Sequence, residues 1–468
     1  MDSTLLDKGS TVGVFFEPKS VAVVGASRTP GKIGNTILKN LLTLKYKGRI
    51  FPVNPRASDI SGLKAYPSVL EIPHKIDVAV IAIPASLVLD VVRDCARKGV
   101  RGLVIISSGF SEIGKEGAKR QSELIRIAAR AGMRIVGPNT TGILNTHNRF
   151  TTTFVELNEV REGSVAFIAQ TGMFAGMMLE HIVTSEKFGL SKVAGLGNKC
   201  DVADDEILDY LAQDTATKVI MMYIEGIKDG KRFFEAARRL TKEKPLIVLK
   251  VGRTRAGAKA ALSHTGSLTG RDEVFEALCQ QVGIIRATDF DELIDFAKMF
   301  AYQPLPRGNR VCIVTLSGGA GVMAADACLQ SELRLSNLAH HTLQKVVEKM
   351  PSWATVGNPV DIEPLTETVS SVEAYRIPLE AALSDESVDL CLLIMGTIGI
   401  PKGGVNFLED IKNAYPQKPI AVCMIGVQEI YNQFCGTAEE VGIPVFPSVR
   451  RAVNGLAALY RYSQRAGM

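Results

Sequence analysis

Among 468 residues there are one tryptophan and six histidines, and none of the eight cysteines forms a Cys-x-x-C pair or lies at zinc-finger spacing from histidine. Those absences argue against a zinc ribbon and a thioredoxin-type redox centre. No metal site is expected, and the scattered thiols read as free core residues of a reducing compartment. Neither sign of charge dominates, since 54 basic and 49 acidic residues leave +5. So mild a surplus suits a small anionic ligand and gives no reason to expect nucleic acid. Long apolar runs are also missing. The most apolar window, Ile76 to Val92, is broken by Asp77, Pro84 and Asp90, so no membrane span is expected. The start, MDSTLLDKGS, lacks the charged and apolar regions of a secretory signal, which points to a cytoplasmic protein.

What the chain does have is 46% hydrophobic residues and 42 glycines. Short β-branched runs alternate with amphipathic helices from end to end. Val21 to Ser27, Asp77 to Pro84 and Gly102 to Gly109 read as buried strands bounded by glycine or proline. Such alternation predicts right-handed βαβ units and parallel sheets covered on both faces. The pattern restarts at Val165 to Gly172 and again at Val311 to Gly319. An α/β chain of three doubly wound parallel-sheet domains follows, with residues 1–145, 146–303 and 304–468 as the expected divisions. The polar stretch Asn145 to Gly163 and the proline-bearing AYQPLPRGNR, Ala301 to Arg310, mark the breaks.

Ligands of open α/β sheets bind beyond the C-terminal strand ends, so the residues after each strand are the candidates. Gly25-Ala26-Ser27-Arg28-Thr29-Pro30-Gly31-Lys32 opens the first helix. It matches neither G-x-G-x-x-G nor a Walker A loop, which argues against a nicotinamide dinucleotide and against nucleotide hydrolysis at this loop. Backbone N–H groups at a helix start, with Arg28 and Lys32, suit a phosphate-bearing ligand. Arg56 and Ser107-Ser108-Gly109 would line the same crevice. Thr171-Gly172-Met173 opens another helix after a strand. Asn198-Lys199 follows the next strand and reads equally as an anion contact or a solvated turn. Ser317-Gly318-Gly319-Ala320-Gly321 permits close backbone approach to an anion, or tight helix–sheet packing.

The sharpest feature is the stretch Gly252 to Gly270, read as a long loop, with a good helix beginning only near Asp272. It places His264 among hydroxyls, glycines and cations, with few large apolar side chains. A nucleophilic imidazole needs access and a partner for its second nitrogen. Glu225, at the end of strand KVIMMYIEG, is the candidate partner; a merely exposed loop histidine is the alternative.

These residues add up to a resemblance. GASRTPGKIGN, FPVNPR, GLKAYPSV, IDVAVIAIP, VIISSGFSEIG and MRIVGPNTTGILNT, then LSHTGSLTG, then TLSGGAGV and GNPVDI stand in order along nearly the whole chain. In these motifs the sequence resembles the α chains of ADP-forming acyl-CoA synthetases, the acetate–CoA ligase (ADP-forming) type, and is more distantly similar to the α subunit of succinyl-CoA synthetase. The resemblance implies an N-terminal Rossmann-like CoA-binding domain followed by two flavodoxin-like domains. It implies that acyl-CoA and phosphate give acyl phosphate and CoA, that His264 is then phosphorylated, and that the phosphoryl group passes to ADP. Glu225 would orient His264. Gly25 to Ser27, Lys32, Arg56 and Ser107 to Gly109 match the CoA site. Thr171 to Met173 and Ser317 to Gly321 match two phosphate-holding helix starts. Thr171 stands where serine is common, and Thr140-Thr141 where Cys-Leu is common. No stretch resembles the ATP-grasp domains, so ADP or ATP and magnesium are expected on a separate β subunit, in an α2β2 assembly. A CoA-binding regulatory module without the nucleotide step is the other reading.

Overall fold

The apolar runs become central strands because each is covered on both faces. In the computed structural model, Ser20–Val24, Val78–Ile81 and Gly102–Ile105 are buried at every position. The residues described are 12–170, 172–265, 270–398 and 405–466, with the side chains of 261–265 and 466 excepted. The first sheet is parallel, in the order Arg49–Val53, Ser20–Val24, Val78–Ile81, Gly102–Ile105, Arg134–Val136. Helices Ile33–Thr43, Ala85–Lys98 and Lys115–Arg130 make the crossovers. Val88, Val92 and Cys95 form the buried stripe of the second of these, and Gly99 ends it in the left-handed conformation.

The second sheet runs Ile285–Ala287, Leu246–Lys250, Val219–Ile224, Glu162–Ala169, Leu190–Gly195, Ile143–Asn145, Phe150–Thr151. Its last two strands are antiparallel, so it is mixed rather than wholly parallel. They come largely from the polar stretch read as a domain break. Its polarity is satisfied internally: the Thr152 hydroxyl accepts from the Ile143 N–H at 2.8 Å, and the Asn145 amide donates to the Phe16 carbonyl at 3.0 Å. The Asn40 amide donates to the carbonyls of Thr153 and Val155, tying the first layer to the second.

The chain divides into two compact units, residues 1–286 and 287–468. Both sheets above lie in the first, apart from Ala287 at the end of strand Ile285–Ala287, where the second begins. Helix Phe290–Tyr302 buries Leu293, Ile294, Phe296 and Met299, and Met299 shares a core with Val449, Val453 and Leu456 of helix Val449–Ala466. Arg451 clamps Asp295 across these helices at 2.6 and 2.8 Å. The third sheet is parallel, in the order Arg334–Leu335, Arg310–Thr315, Leu390–Gly396, Ile420–Ile425, Val445–Phe446, with Val360–Asp361 beside Arg310–Thr315.

Seven cysteines are buried and Cys435 is half-buried, all as free thiols. Burial pushes Cys95 and Cys435 up to about 12, which leaves them protonated and poor nucleophiles at neutral pH. No helix among the described residues is long and apolar enough to cross a membrane.

Asp385 carries a pH-dependent share of the second unit's stability. Burial alone would raise its carboxyl, but the N–H groups of Ala339 and Ser387, each at 2.8 Å, outweigh that and bring it to about 2. A folded value below the unfolded one stabilises above about pH 4, and the contribution fades as pH falls toward the folded value. Asp385→Asn should therefore cost about 1.5–3 kcal/mol in urea unfolding at pH 7. Near pH 3 the gap should narrow. An unchanged gap at both pH values would show that the charge is not what matters.

Candidate active site

Three strand ends of the second sheet converge on one buried amide. Gln170 follows Glu162–Ala169, and its Oε1 accepts from the N–H groups of Glu225 and Gly226 and from Lys199 Nζ, each at 3.0 Å. The Lys199 ammonium also donates to Asp204 Oδ2 at 2.6 Å and to the Gly226 carbonyl at 2.9 Å. Its three N–H donors thus have three partners, and it is 3% exposed. Lys199 is therefore no hook for a bound anion, because its charge is neutralised inside the fold and organises the strand ends. Its backbone sits at φ 50°, beside Gly197 at φ 54°. A Cβ at Gly197 would lie 2.3 Å from the Pro138 carbonyl oxygen, so only glycine lets the turn pass this close. The Asn198 amide is turned away from the strand ends as well. It donates to Glu112 Oε2 at 2.6 Å and to Gln121 Oε1 at 3.0 Å in the first domain.

Glu225 is different. The residue is 4% exposed, and its Oε2 is buried with no hydrogen-bond partner among the described residues. Leaving a buried acceptor unsatisfied costs about 1–3 kcal/mol, more for a charged group. Such a site fits an incoming N–H donor. Tyr223, two residues earlier, is pushed up by burial and by the Glu225 charge. The ring of Phe174 packs edge-on against Tyr223 at 5.4 Å. That places the first turn of helix Met173–Ser185, capped by Gly172, next to this strand end. Thr171 lies outside the described residues.

The His264 stretch is not a continuous loop. Helix Arg255–Thr265 occupies its centre, because Ala256, Ala258, Ala260 and Ala261 are strong helix formers. The Thr254 hydroxyl accepts the Gly257 N–H at 3.0 Å at its start. His264 falls in the last turn; its side chain lies outside the described residues, as do residues 266–269. Both ends of the stretch meet at Asp272. Its carboxylate lies 2.5 Å from Arg286, 3.7 Å from Arg253 and 3.8 Å from Lys250. The signal for this junction in the sequence is that Asp272 and Glu273 are the first acids after a run of cations, Lys250, Arg253, Arg255, Lys259 and Arg271.

At the first sheet, Gly25 has φ 89°, and a Cβ there would lie 2.3 Å from the Ala82 carbonyl oxygen. The loop it begins is ordered by its own polar groups. The Asn54 amide donates to the Ala26 carbonyl at 2.8 Å, Ser27 Oγ accepts the Thr29 N–H at 3.0 Å, and Arg28 Nε donates to the Asp59 carbonyl at 2.8 Å. Lys32 caps helix Ile33–Thr43 and is exposed, as is Arg56. Ser107 Oγ donates to the Ile83 carbonyl at 2.5 Å, Ser108 is exposed, and the Gly109 N–H is held by Glu112. A helix start, two exposed cations and an exposed hydroxyl on one sheet's strand ends fit a phosphate-bearing ligand such as CoA. In the second unit, Ser317 caps helix Gly318–Gln330, and its N–H donates to Thr315 Oγ1 at 3.1 Å. Ser317, Gly318 and Gly319 are exposed, Ala320 half-buried and Gly321 buried.

Three family models match the chain in succession: the CoA binding domain over residues 19–146, the succinyl-CoA ligase like flavodoxin domain over 162–300, and the ligase-CoA domain over 311–468. The chain is 44% identical over 453 residues to acetate–CoA ligase [ADP-forming] II of Archaeoglobus fulgidus, covering 96% of this chain and 67% of that one. It belongs to the ADP-forming acetate–CoA ligase family. Within that family, the subunit alpha of acetate–CoA ligase [ADP-forming] I of Pyrococcus furiosus is 40% identical, with 96% of this chain and 97% of that one covered. A solved structure agrees: the dinucleotide forming acetyl-coenzyme A synthetase 1 of Ca. Korarchaeum cryptofilum, in complex with phosphate and ADP, superposes with TM-score 0.90 at 35% identity and 97% coverage of each chain.

Thr140 has a local structural role. The Thr140 hydroxyl donates to the Gly195 carbonyl at 2.6 Å and accepts the Gly142 N–H at 2.9 Å, pinning the antiparallel strand to Leu190–Gly195.

Proposed function

We propose that this chain is the α subunit of an ADP-forming acyl-CoA synthetase working through a phosphohistidine at His264. The reaction is that of an acid–thiol ligase, interconverting acyl-CoA, ADP and phosphate with acid, ATP and CoA. In the direction of ATP formation, a phosphate oxygen attacks the thioester carbonyl and the CoA thiolate leaves, giving acyl phosphate. An imidazole nitrogen of His264 then attacks phosphorus, the bond to the acyl oxygen breaks, and the carboxylate departs. Glu225 accepts the N–H of the other ring nitrogen, holding the ring and stabilising the charge it gains. The helix start at Thr171-Gly172-Met173 stabilises the phosphoryl oxygens in this state, and Ser317 to Gly321 offers a second such start. Gly25 to Ser27, Lys32, Arg56 and Ser107 to Gly109 hold CoA. ADP with magnesium belongs to an ATP-grasp β subunit in an α2β2 cytoplasmic assembly; magnesium supplies charge neutralisation on the nucleotide phosphates.

The observation that carries this reading is the buried Glu225 oxygen without a donor, at a strand end beside a helix start. Incubating the chain and its β partner with acyl-CoA and labelled phosphate should label the α chain in an acid-labile, alkali-stable form. No label, with CoA still bound, would leave the CoA-binding regulatory module.

The CoA site has its own test. Gly25→Trp places a side chain against the Ala82 carbonyl at a position with positive φ. Calorimetry should show CoA binding weakened at least about tenfold, since the close backbone approach is lost. Unchanged affinity would move the CoA site away from this loop.

A further inference from the structure

Glu112 stands in the short turn Ser111–Ile113, just past the Ser107–Gly109 loop, and its carboxylate faces two ways. Oε1 accepts the N–H groups of Gly109 at 2.5 Å and Phe110 at 3.1 Å. Oε2 accepts the Asn198 amide at 2.6 Å. Burial would raise this carboxyl, but the hydrogen bonds from Asn198, Phe110 and Gly109 bring it below the usual range, so it is ionised and the bonds are charge-assisted. Gln121 backs the pair, its Oε1 accepting from Asn198 and from the Ser111 hydroxyl.

Asn198 is bonded covalently to Lys199, and the turn carrying both is tightly seated. The Asn198 N–H donates to the Pro138 carbonyl at 2.9 Å, and the Cys200 N–H donates to the Gly137 carbonyl at 3.1 Å. Lys199 in turn holds Gln170, and Gln170 holds the backbone of Glu225. A continuous chain of short polar contacts therefore runs from Gly109 on the first sheet to Glu225 on the second. Nothing in the reaction needs Glu112 or Asn198 to touch a reacting atom, yet they join the two strand-end clusters.

We propose that Glu112 and Asn198 are positioning residues, a latch that fixes the Lys199 turn to the Gly109 loop and so holds Glu225 in alignment. The latch rests on the phosphohistidine reading above. Its effect is on geometry: an ångström of drift at Glu225 misplaces the imidazole partner, and misplacements of that size cost on the order of 100-fold in rate. A partial release through one of several contacts should cost less.

The test uses the complete α and β enzyme carrying Glu112→Gln, Asn198→Ala or both. His264 labelling is followed in two directions, from acyl-CoA with labelled phosphate and from labelled ATP. Each single variant should slow labelling from acyl-CoA about 10- to 30-fold, with the KM for acyl-CoA changed less than about threefold. Labelling from ATP should stay within about twofold. The double variant should be no slower than the worse single one, because both break one interaction. Multiplicative losses, or equal losses in the two directions, would overturn the latch. If the double variant does not fold, the ratio of the two labelling rates in Asn198→Ala decides the matter alone. Wild-type enzyme that takes no label would sink the phosphohistidine reading itself, whereas labelled wild type with unimpaired variants would sink only the latch.

Discussion

Replacing His264 with alanine should abolish labelling of the chain and lower turnover by at least about 10⁴-fold, since removing a covalent nucleophile leaves only binding and electrostatic contributions. The other five histidines, at positions 74, 147, 181, 340 and 341, have no comparable setting in the sequence. The structure accounts for two of them by other contacts. His147 lies 2.8 Å from Glu162 and 3.0 Å from the Gly163 carbonyl, and His74 meets Arg49 at 3.0 Å. Cys95 and Cys435 cannot substitute, because burial keeps them protonated. CoA affinity in His264→Ala should be unchanged by calorimetry, as the Gly25 loop belongs to another sheet. Label that persists in this variant would transfer the nucleophile's role elsewhere.

The second large effect belongs to Glu225. Glu225→Gln keeps the shape but replaces a charged acceptor by an amide. Formation of phosphohistidine should slow by about 10²–10³-fold, in the range of orienting and acid–base partners of catalytic imidazoles. Stability should move the opposite way. Neutralising a buried carboxylate that has an unsatisfied oxygen removes a penalty, so the variant should melt at the same temperature or a few degrees higher. Slower chemistry with undiminished stability marks a functional carboxylate. A variant that labels normally and melts lower would mark a structural one.

Much of the architecture was readable because buried parallel strands have no alternative pattern. Val21 to Val24 and Val78 to Ile81 are apolar at every position, and the residue after each must turn. The antiparallel pair Ile143–Asn145 and Phe150–Thr151 was not readable. Its threonines and Asn145 are satisfied by backbone groups inside the fold, and in one dimension they look like a solvated linker. The packing of helix Phe290–Tyr302 against Val449–Ala466 was not readable either, because nothing in one dimension links two apolar stripes so far apart. Around the site, Glu225 could be found from its strand-end position. Lys199 could not be understood, because Gly-Asn-Lys after a strand reads as a polar turn. Only the fold brings Gln170 and Asp204 onto its ammonium. The alanines of Arg255–Thr265 were outweighed by the glycines and hydroxyls around them.

That short helix bears on the phosphoryl transfer proposed for His264. Eleven residues are barely enough to stay helical without support from neighbours. His264 sits among the last residues, where unpaired carbonyls concentrate partial negative charge. On the phosphohistidine reading proposed above, a phosphoryl group gained there would meet repulsion from the helix that carries it. Loading would then weaken the terminal turn and unloading would let it rewind, a cycle of winding and fraying in each turnover without any external signal.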